Sequence, residues 1–372
     1  MTVRHPFRLF INPNHGTPGL VVLPDAGFRR ARAAIAAWPG YAPTPLVDLP
    51  AVDAPGPGEG AALVRLKDEG PRFGLGSFKA LGGAYAVETL VAAERVRGRT
   101  DVTVTCATDG NHGRSVAWGA RRAGCRCVIF VHETVSQGRV DAIAAFGARV
   151  VRVPGNYDDA VREADRQAQA NGWFVVSDTS YPGYTEVPRS VMQGYRVMAD
   201  EAADQWAGPA PTHVFVQAGV GGAAAAVSVH LRARFNPSPK LVIVEPETAA
   251  CLYESAVANA PTVVGGALET IMAGLACGEP SLLAWQELGR AAFGFMAIPD
   301  EAAAETLRWL AGSGHSVGES GVAGLAGYRL AAADEAARRR LGLTADSRVL
   351  VFGTEGVTDR AVYDRIRNQL PT

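Results

Sequence analysis

Apolar positions along this chain fall into short β-branched runs, each followed by a Gly-rich turn and then a longer Ala-rich stretch. Val102–Ala107, Arg126–Val131, Ala148–Val153 and Trp173–Asp178 predict strands, and the stretches after Asn111, Ser136 and Asp158 predict the helices that separate them. Such alternation calls for a parallel sheet with crossover helices. A second series repeats the rhythm with strand Thr212–Ala218, helix Ala223–Arg234, strand Leu241–Pro246 and, much later, strand Arg348–Thr354. Two such series predict an α/β protein of two lobes, each a parallel sheet with helices on both faces, and a ligand cleft between them. Thr185–Ala207 has the pattern of a long amphipathic helix that carries the chain from one lobe to the other. Asp48–Gly60 is rich in Pro and Gly and predicts a surface loop.

Composition narrows the function. A chain of 372 residues suits two lobes better than one. The 36 Lys and Arg nearly cancel the 37 Asp and Glu, so no field favours nucleic acid or an anionic membrane. No apolar run approaches the roughly 20 residues of a membrane span. Met1–Phe10 carries Arg4, His5 and Arg8 and lacks the apolar stretch of a secretory signal, so the expectation is a soluble cytoplasmic protein. Five cysteines in this length make neither a disulfide framework nor a zinc pair, and buried or half-buried thiols are expected for all of them. No metal site is expected. Whether Cys251 and Cys277 meet is left open by the sequence.

Three Gly-rich segments carry chemistry. In Gly74–Lys79 (GLGSFK) a lysine opens a helix whose apolar positions Leu81, Ala84, Val87 and Leu90/Val91 would face a core. An ammonium near the positive helix end is unfavourable unless the amine is neutral or bonded. A Schiff base to an aldehyde cofactor removes that conflict, whereas an ordinary lysine would sit in solvent. Thr108–Ser115 (TDGNHGRS) follows a strand and opens a helix, which presents backbone N–H groups to an anion such as a substrate carboxylate. A capped βα turn without a ligand has the same appearance. Gln217–Ala223 (QAGVGGA) again joins strand to helix and suits a phosphate. It lacks the Lys and Ser/Thr of a Walker loop, and a dinucleotide-binding turn is the competing assignment.

In this order and spacing the three segments resemble the fold-type II pyridoxal-phosphate family, the tryptophan synthase β-like group that includes serine/threonine dehydratases, threonine synthases and cysteine synthases. The resemblance implies that Lys79 holds pyridoxal 5'-phosphate, that Asn111 partners its ring hydroxyl, and that Gly219, Val220, Gly221 and Gly222 form the phosphate cup. It divides the chain into a large cofactor-binding domain, 1–75 and 190–372, and a small mobile domain, 76–189. GLGSFKALGGAYA, ATDGNHGRSVAWGA, NYDDAV, SDTSYPGYTEVP, VMQGY, IMAGLACGEP, GESG and TEGVTD, from about Phe73 to Asp359, are similar to diaminopropionate ammonia-lyase.

That subfamily implies an α,β-elimination that converts 2,3-diaminopropionate to pyruvate and ammonia, with Lys79, Asp109 and Asp178 as catalytic residues and both enantiomers as substrates. Two carboxylates suit a substrate with a second amine on Cβ, because an amine leaves well only when protonated. As bare sequence, Asp109 reads as a turn residue or cap and Asp178 as an Asx turn at a strand end. Thr108, Asp109, Gly110, His112 and Asp178 are the expected substrate contacts, His112 standing at the helix start rather than acting as the base. Thr354 is the candidate for the pyridine nitrogen, since Gly353 stands where some relatives have Ser, and Val357 replaces a common acid. Glu245 and Glu247 read as solvated loop acids, and Glu319 and Ser320 as candidate site-lining residues. A homodimer is expected by analogy with the family. The alternatives are a serine/threonine-type dehydratase on the same scaffold, a non-catalytic pyridoxal-phosphate carrier, and a Rossmann-type nucleotide binder.

Overall fold

A computed structural model of the protein describes residues 5–50, 63–108 and 110–369. In chain order its strands are β1 (Arg8–Ile11), β2 (Leu46–Asp48), β3 (Leu63–Asp68), β4 (Thr103–Ala107), β5 (Arg126–His132), β6 (Arg149–Val153), β7 (Phe174–Val175), β8 (His213–Gln217), β9 (Lys240–Pro246), β10 (Gly294–Ile298) and β11 (Arg348–Gly353). The helices that matter below are α1 (Asp25–Ala36), α2 (Lys79–Val96), α3 (Asn111–Ala123), α4 (Gln137–Ala144), α5 (Tyr157–Asn171), α6 (Glu186–Gln205), α7 (Gly222–Arg234) and α8 (Cys251–Ala258). Among the described residues, no helix is long and apolar enough to cross a membrane.

The chain forms two compact units: Met1–Val22, Pro43–Pro71 and Met198–Thr372 in the first, Leu23–Ala42 and Arg72–Val197 in the second. Leu23–Ala42, expected in the larger domain, groups instead with the second unit. Arg196 donates to Leu23 O (3.1 Å) and Asp25 Oδ1 (2.7 Å), and Trp38 packs edge-on against Trp118 of α3, centroids 5.5 Å apart.

The first unit holds a seven-stranded sheet in the order β1-β10-β9-β8-β11-β3-β2. Its five inner strands are parallel and the edges β1 and β2 are antiparallel. Phe215, Val242, Val244, Met296 and Val351 of these strands share one core with the helix Ala323–Ala333. The order turns at β8 and β11, whose carboxyl ends carry the Gly219–Gly222 turn and Thr354; such a switch point is where open α/β sheets receive ligands. The sequence pattern missed β3 because Arg65 and Lys67 interrupt its apolar run. Tertiary structure satisfies that lysine: buried Lys67 Nζ donates to Thr44 O (2.7 Å), Glu201 Oε2 (2.8 Å) and Gln205 Oε1 (2.9 Å). Most of the predicted loop Asp48–Gly60 lies outside the described residues, but Asp48 closes β2 against Arg65 and Leu49 is buried.

The second unit holds a four-stranded parallel sheet in the order β6-β5-β4-β7. Val128 and Phe130 of β5 pack on Ala160 and Ala164 of α5. Ser136 caps α4, and Asn156 with Asp159 forms a capping box at α5, so that helix starts at Tyr157 rather than after Asp158. The strand expected over Trp173–Asp178 shrinks to Phe174–Val175. Beyond it the Tyr184 hydroxyl accepts the Ser177 N–H (3.0 Å) and donates to Val175 O (2.9 Å), which turns the chain off the sheet just before Asp178.

Candidate active site

In the second unit α2 begins at Lys79, and no side chain caps it. It packs tightly on α3. A Cβ on Gly83 would fall 2.3 Å from Ser115 Oγ, and one on Gly119 would fall 2.6 Å from Ala84 Cα. Ser115 donates its hydroxyl to Lys79 O (2.6 Å), so the two Gly-rich motifs are bolted together at the lysine. The Lys79 amine forms an ion pair with Asp178, each side chain about one-fifth exposed. Burial alone would raise the Asp178 carboxyl, but the charge of Lys79 and the Lys79 hydrogen bond outweigh it and hold it well below the usual carboxylate range.

His112 lies in the first turn of α3. Its Nε2 contacts Val176 O at 2.8 Å, and a carbonyl can only accept, so Nε2 carries the proton. Nδ1 is left buried without a hydrogen-bond partner, 3.9 Å from Asp178 Oδ2. Burial holds His112 below its ordinary value, so the ring is neutral at pH 7 and Nδ1 is an acceptor. Thr108 builds the turn: its buried Oγ1 accepts the Gly110 N–H (3.0 Å) and the Gly113 N–H (3.1 Å). Asn111 opens α3, half-buried. Asp109 lies outside the described residues. Lys79, Asp178 and His112 are therefore brought together, with Thr108, Gly110 and Asn111 forming the adjoining turn.

In the first unit Gly219–Gly222 joins β8 to the N-terminus of α7. Gly221 adopts φ +95°, and a Cβ there would meet Ala284 Cβ at 3.0 Å and Leu252 Cδ1 at 3.1 Å. The turn's carbonyls face the protein: Val220 O accepts the Ser281 N–H (2.9 Å), Gly221 O the Ala225 N–H (2.9 Å), and Gly219 O the Cys251 thiol (3.7 Å). A first helical turn has no intrahelical acceptors for its amides, and this cradle suits a phosphate dianion. All five cysteines are free thiols, buried or half-buried; Cys251 and Cys277 both border Gly219.

Thr354 follows β11, and its Oγ1 accepts a hydrogen bond from Gln217 Nε2 (2.7 Å), which also donates to Gly321 O and Phe352 O, each at 2.9 Å. Gln217 was not singled out as a site residue; its only signal was its place at the end of β8 before the Gly turn. Glu245 is not the solvated acid expected. It is fully buried and accepts the N–H groups of Leu252 (2.8 Å) and Tyr253 (2.7 Å) at the start of α8, whereas Glu247 is exposed. Ser320 Oγ accepts the Gly274 N–H (2.9 Å), and Glu355 Oε1 the Ser320 N–H (3.0 Å), so the IMAGL, GESG and TEG segments meet in one unit.

A lysine on a buried helix start paired with a carboxylate, and a phosphate-type turn at the switch point of a parallel sheet, define a fold-type II pyridoxal-phosphate enzyme. Comparison with known families agrees: the profile described as pyridoxal-phosphate dependent enzyme matches residues 37–354, and the chain belongs to that family. Within it, the chain is similar to diaminopropionate ammonia-lyase of Escherichia coli (strain K12), 41% identical over 351 residues that cover 88% of this chain and 87% of that protein. The solved structure of holo diaminopropionate ammonia lyase from Escherichia coli superposes with a TM-score of 0.90 at 35% identity, covering 98% of this chain and 97% of that one. Its complex with an aminoacrylate-PLP azomethine reaction intermediate gives a TM-score of 0.88 at 35% identity over the same shares of the two chains.

Proposed function

We infer that this chain is a pyridoxal-phosphate-dependent carbon–nitrogen lyase that carries out α,β-elimination on 2,3-diaminopropionate, releasing pyruvate and ammonia. The observation that carries this reading is the Lys79–Asp178 pair, set beside a neutral His112 on a scaffold similar to diaminopropionate ammonia-lyase over most of both chains.

Bound pyridoxal phosphate supplies an aldehyde for a lysine amine and a conjugated ring that takes up negative charge at the substrate's Cα. Lys79 is the residue that holds it, and its freed amine takes the Cα proton. Gly219, Val220, Gly221 and Gly222 hold the phosphate through backbone amides. Thr354 receives a hydrogen bond from Gln217, which leaves its own hydroxyl proton to donate to the ring nitrogen. Asn111 partners the ring hydroxyl, and the Thr108–Asn111 turn with the backbone N–H of His112 at the helix start receives the substrate carboxylate. Asp178 stays ionised at neutral pH, so it orients the ammonium on Cβ rather than supplying a proton. That ammonium already carries the proton it needs to leave as ammonia. Asp109 is the second base, which accounts for turnover of both enantiomers. The acting form is a homodimer in the cytoplasm, by analogy with the family.

The test is product stoichiometry on D- and L-diaminopropionate, D- and L-serine and L-threonine. Diaminopropionate should yield about two ammonia per pyruvate, faster than serine yields one. Faster turnover of serine or threonine would make the chain a hydroxyamino-acid dehydratase. Cofactor colour without turnover would make it a carrier.

A further inference from the structure

The VMQGY segment, Val191–Tyr195, has no part in the chemistry above. It lies on α6 where that helix crosses α2, and glycines let the two backbones close. A Cβ on Gly194 would fall 2.1 Å from Leu81 O, and one on Gly82 would fall 2.3 Å from Tyr195 Cε1. With no side chain between them, the Tyr195 ring slides in beside Phe78, centroids 4.6 Å apart, and Lys79 Nζ lies 5.7 Å from its centre. The ring is 1% exposed, and its hydroxyl is a buried polar atom without a hydrogen-bond partner. Leaving such a group unsatisfied is costly, so a fold that retains it calls for an explanation. Burial pushes the phenol up, while the Lys79 charge and the approach of the Lys79 amine as a hydrogen-bond donor oppose this, so the group stays a neutral phenol beside the amine.

We propose that Tyr195 is a positioning residue for Lys79: its hydroxyl oxygen accepts a hydrogen bond from the Lys79 amine whenever that amine is free. The partner exchange is forced by charge. In the structure the amine is paired with Asp178. When Asp178 turns to the ammonium on the substrate's Cβ, the half-buried Lys79 amine loses that partner, and the Tyr195 oxygen is the acceptor beside it. Holding one N–H there aims the nitrogen lone pair at the Cα proton. Asp178, from the segment after β7, and His112, from α3, also face Lys79. This inference rests on Lys79 being the cofactor lysine.

Tyr195→Phe keeps the ring and removes only the oxygen. It should lower kcat about tenfold with KM changed less than about threefold, the mark of an interaction made after substrate binds. The oxygen favours the charged amine, and a base works when neutral. Its loss should therefore move the acid limb of the kcat profile to lower pH, by about half a unit. Capture of pyridoxal phosphate by the cofactor-free protein, followed by absorbance, should also slow, a readout independent of turnover. Replacing Tyr195 with 3-fluorotyrosine preserves packing and weakens the acceptor, so it should move the limb the same way by less. This covers the case in which Tyr195→Phe fails to fold. An unmoved limb with parental kcat and capture rate in either protein overturns the proposal. Borohydride trapping of cofactor on a lysine other than Lys79 would instead overturn the reading beneath it.

Discussion

At the residue scale, the amine of Lys79 carries the proposed chemistry. Lys79→Ala should abolish the visible absorbance of bound cofactor and all turnover while the far-ultraviolet circular dichroism stays parental, and borohydride reduction with mass spectrometry should place cofactor on Lys79 in the parent. Asp178→Asn removes the charge facing Lys79 and keeps the shape. It should retain cofactor yet lose about 100-fold in diaminopropionate turnover, the scale of a lost acid–base or orienting group. Asp109→Asn should lose a similar factor but on the opposite enantiomer, if each acid serves one face; near-parental rates for both variants on both enantiomers would leave the two as turn residues. Lys79, Gly110, Asn111 and the glycines stood out in the sequence because glycine and helix-start chemistry are local. The roles of Tyr195 and Gln217 did not, because each depends on a neighbour far along the chain, Lys79 for the first and Thr354 for the second, and that of Glu245 did not because it depends on burial against the start of α8.

At the element scale, the proposed phosphate turn works only if its backbone can bend at Gly221. The φ of +95° strains any side chain, and a Cβ would press on Ala284 and Leu252. Gly221→Val should therefore displace the first turn of α7 and weaken cofactor retention more than it slows the chemical step. Dialysis of loaded protein followed by absorbance gives the measure, and retention equal to the parent would put the phosphate elsewhere. Strands and helices were legible where period and turn residues agreed, as at β5, β8, β9 and α7. They were not where burial overrode pattern. β10 is a five-residue run buried at every position, which has no alternation to mark it, and β3 hides behind a lysine whose charge is satisfied in the fold by Glu201, Thr44 and Gln205. β7 is the converse, a long apolar run cut to a two-residue strand by one tyrosine hydroxyl.

At the scale of the whole molecule, Glu245 links stability to pH. Burial pushes its carboxyl up to about 8, against the two N–H bonds from α8. A carboxyl raised above its unfolded value favours folding at low pH, and that contribution is lost as the pH climbs toward 8. Between about pH 5 and pH 8 the parent should lose thermal stability relative to Glu245→Gln, and a constant difference in Tm across that range would show an ordinary carboxyl. The amino-acid sequence by itself determined the α/β class, the family, the cofactor and the βα turns that present ligand groups, because these depend on hydrophobic period, glycine and helix ends within a few residues of one another. Only the tertiary structure decided where Leu23–Ala42 belongs, how a buried lysine in β3 is satisfied, that Asp178 is held ionised by Lys79, and that a buried phenol lies beside the amine. Those outcomes depend on desolvation and on partners distant in the chain, such as Glu201 for Lys67 and Lys79 for Tyr195, and neither is written in any local stretch.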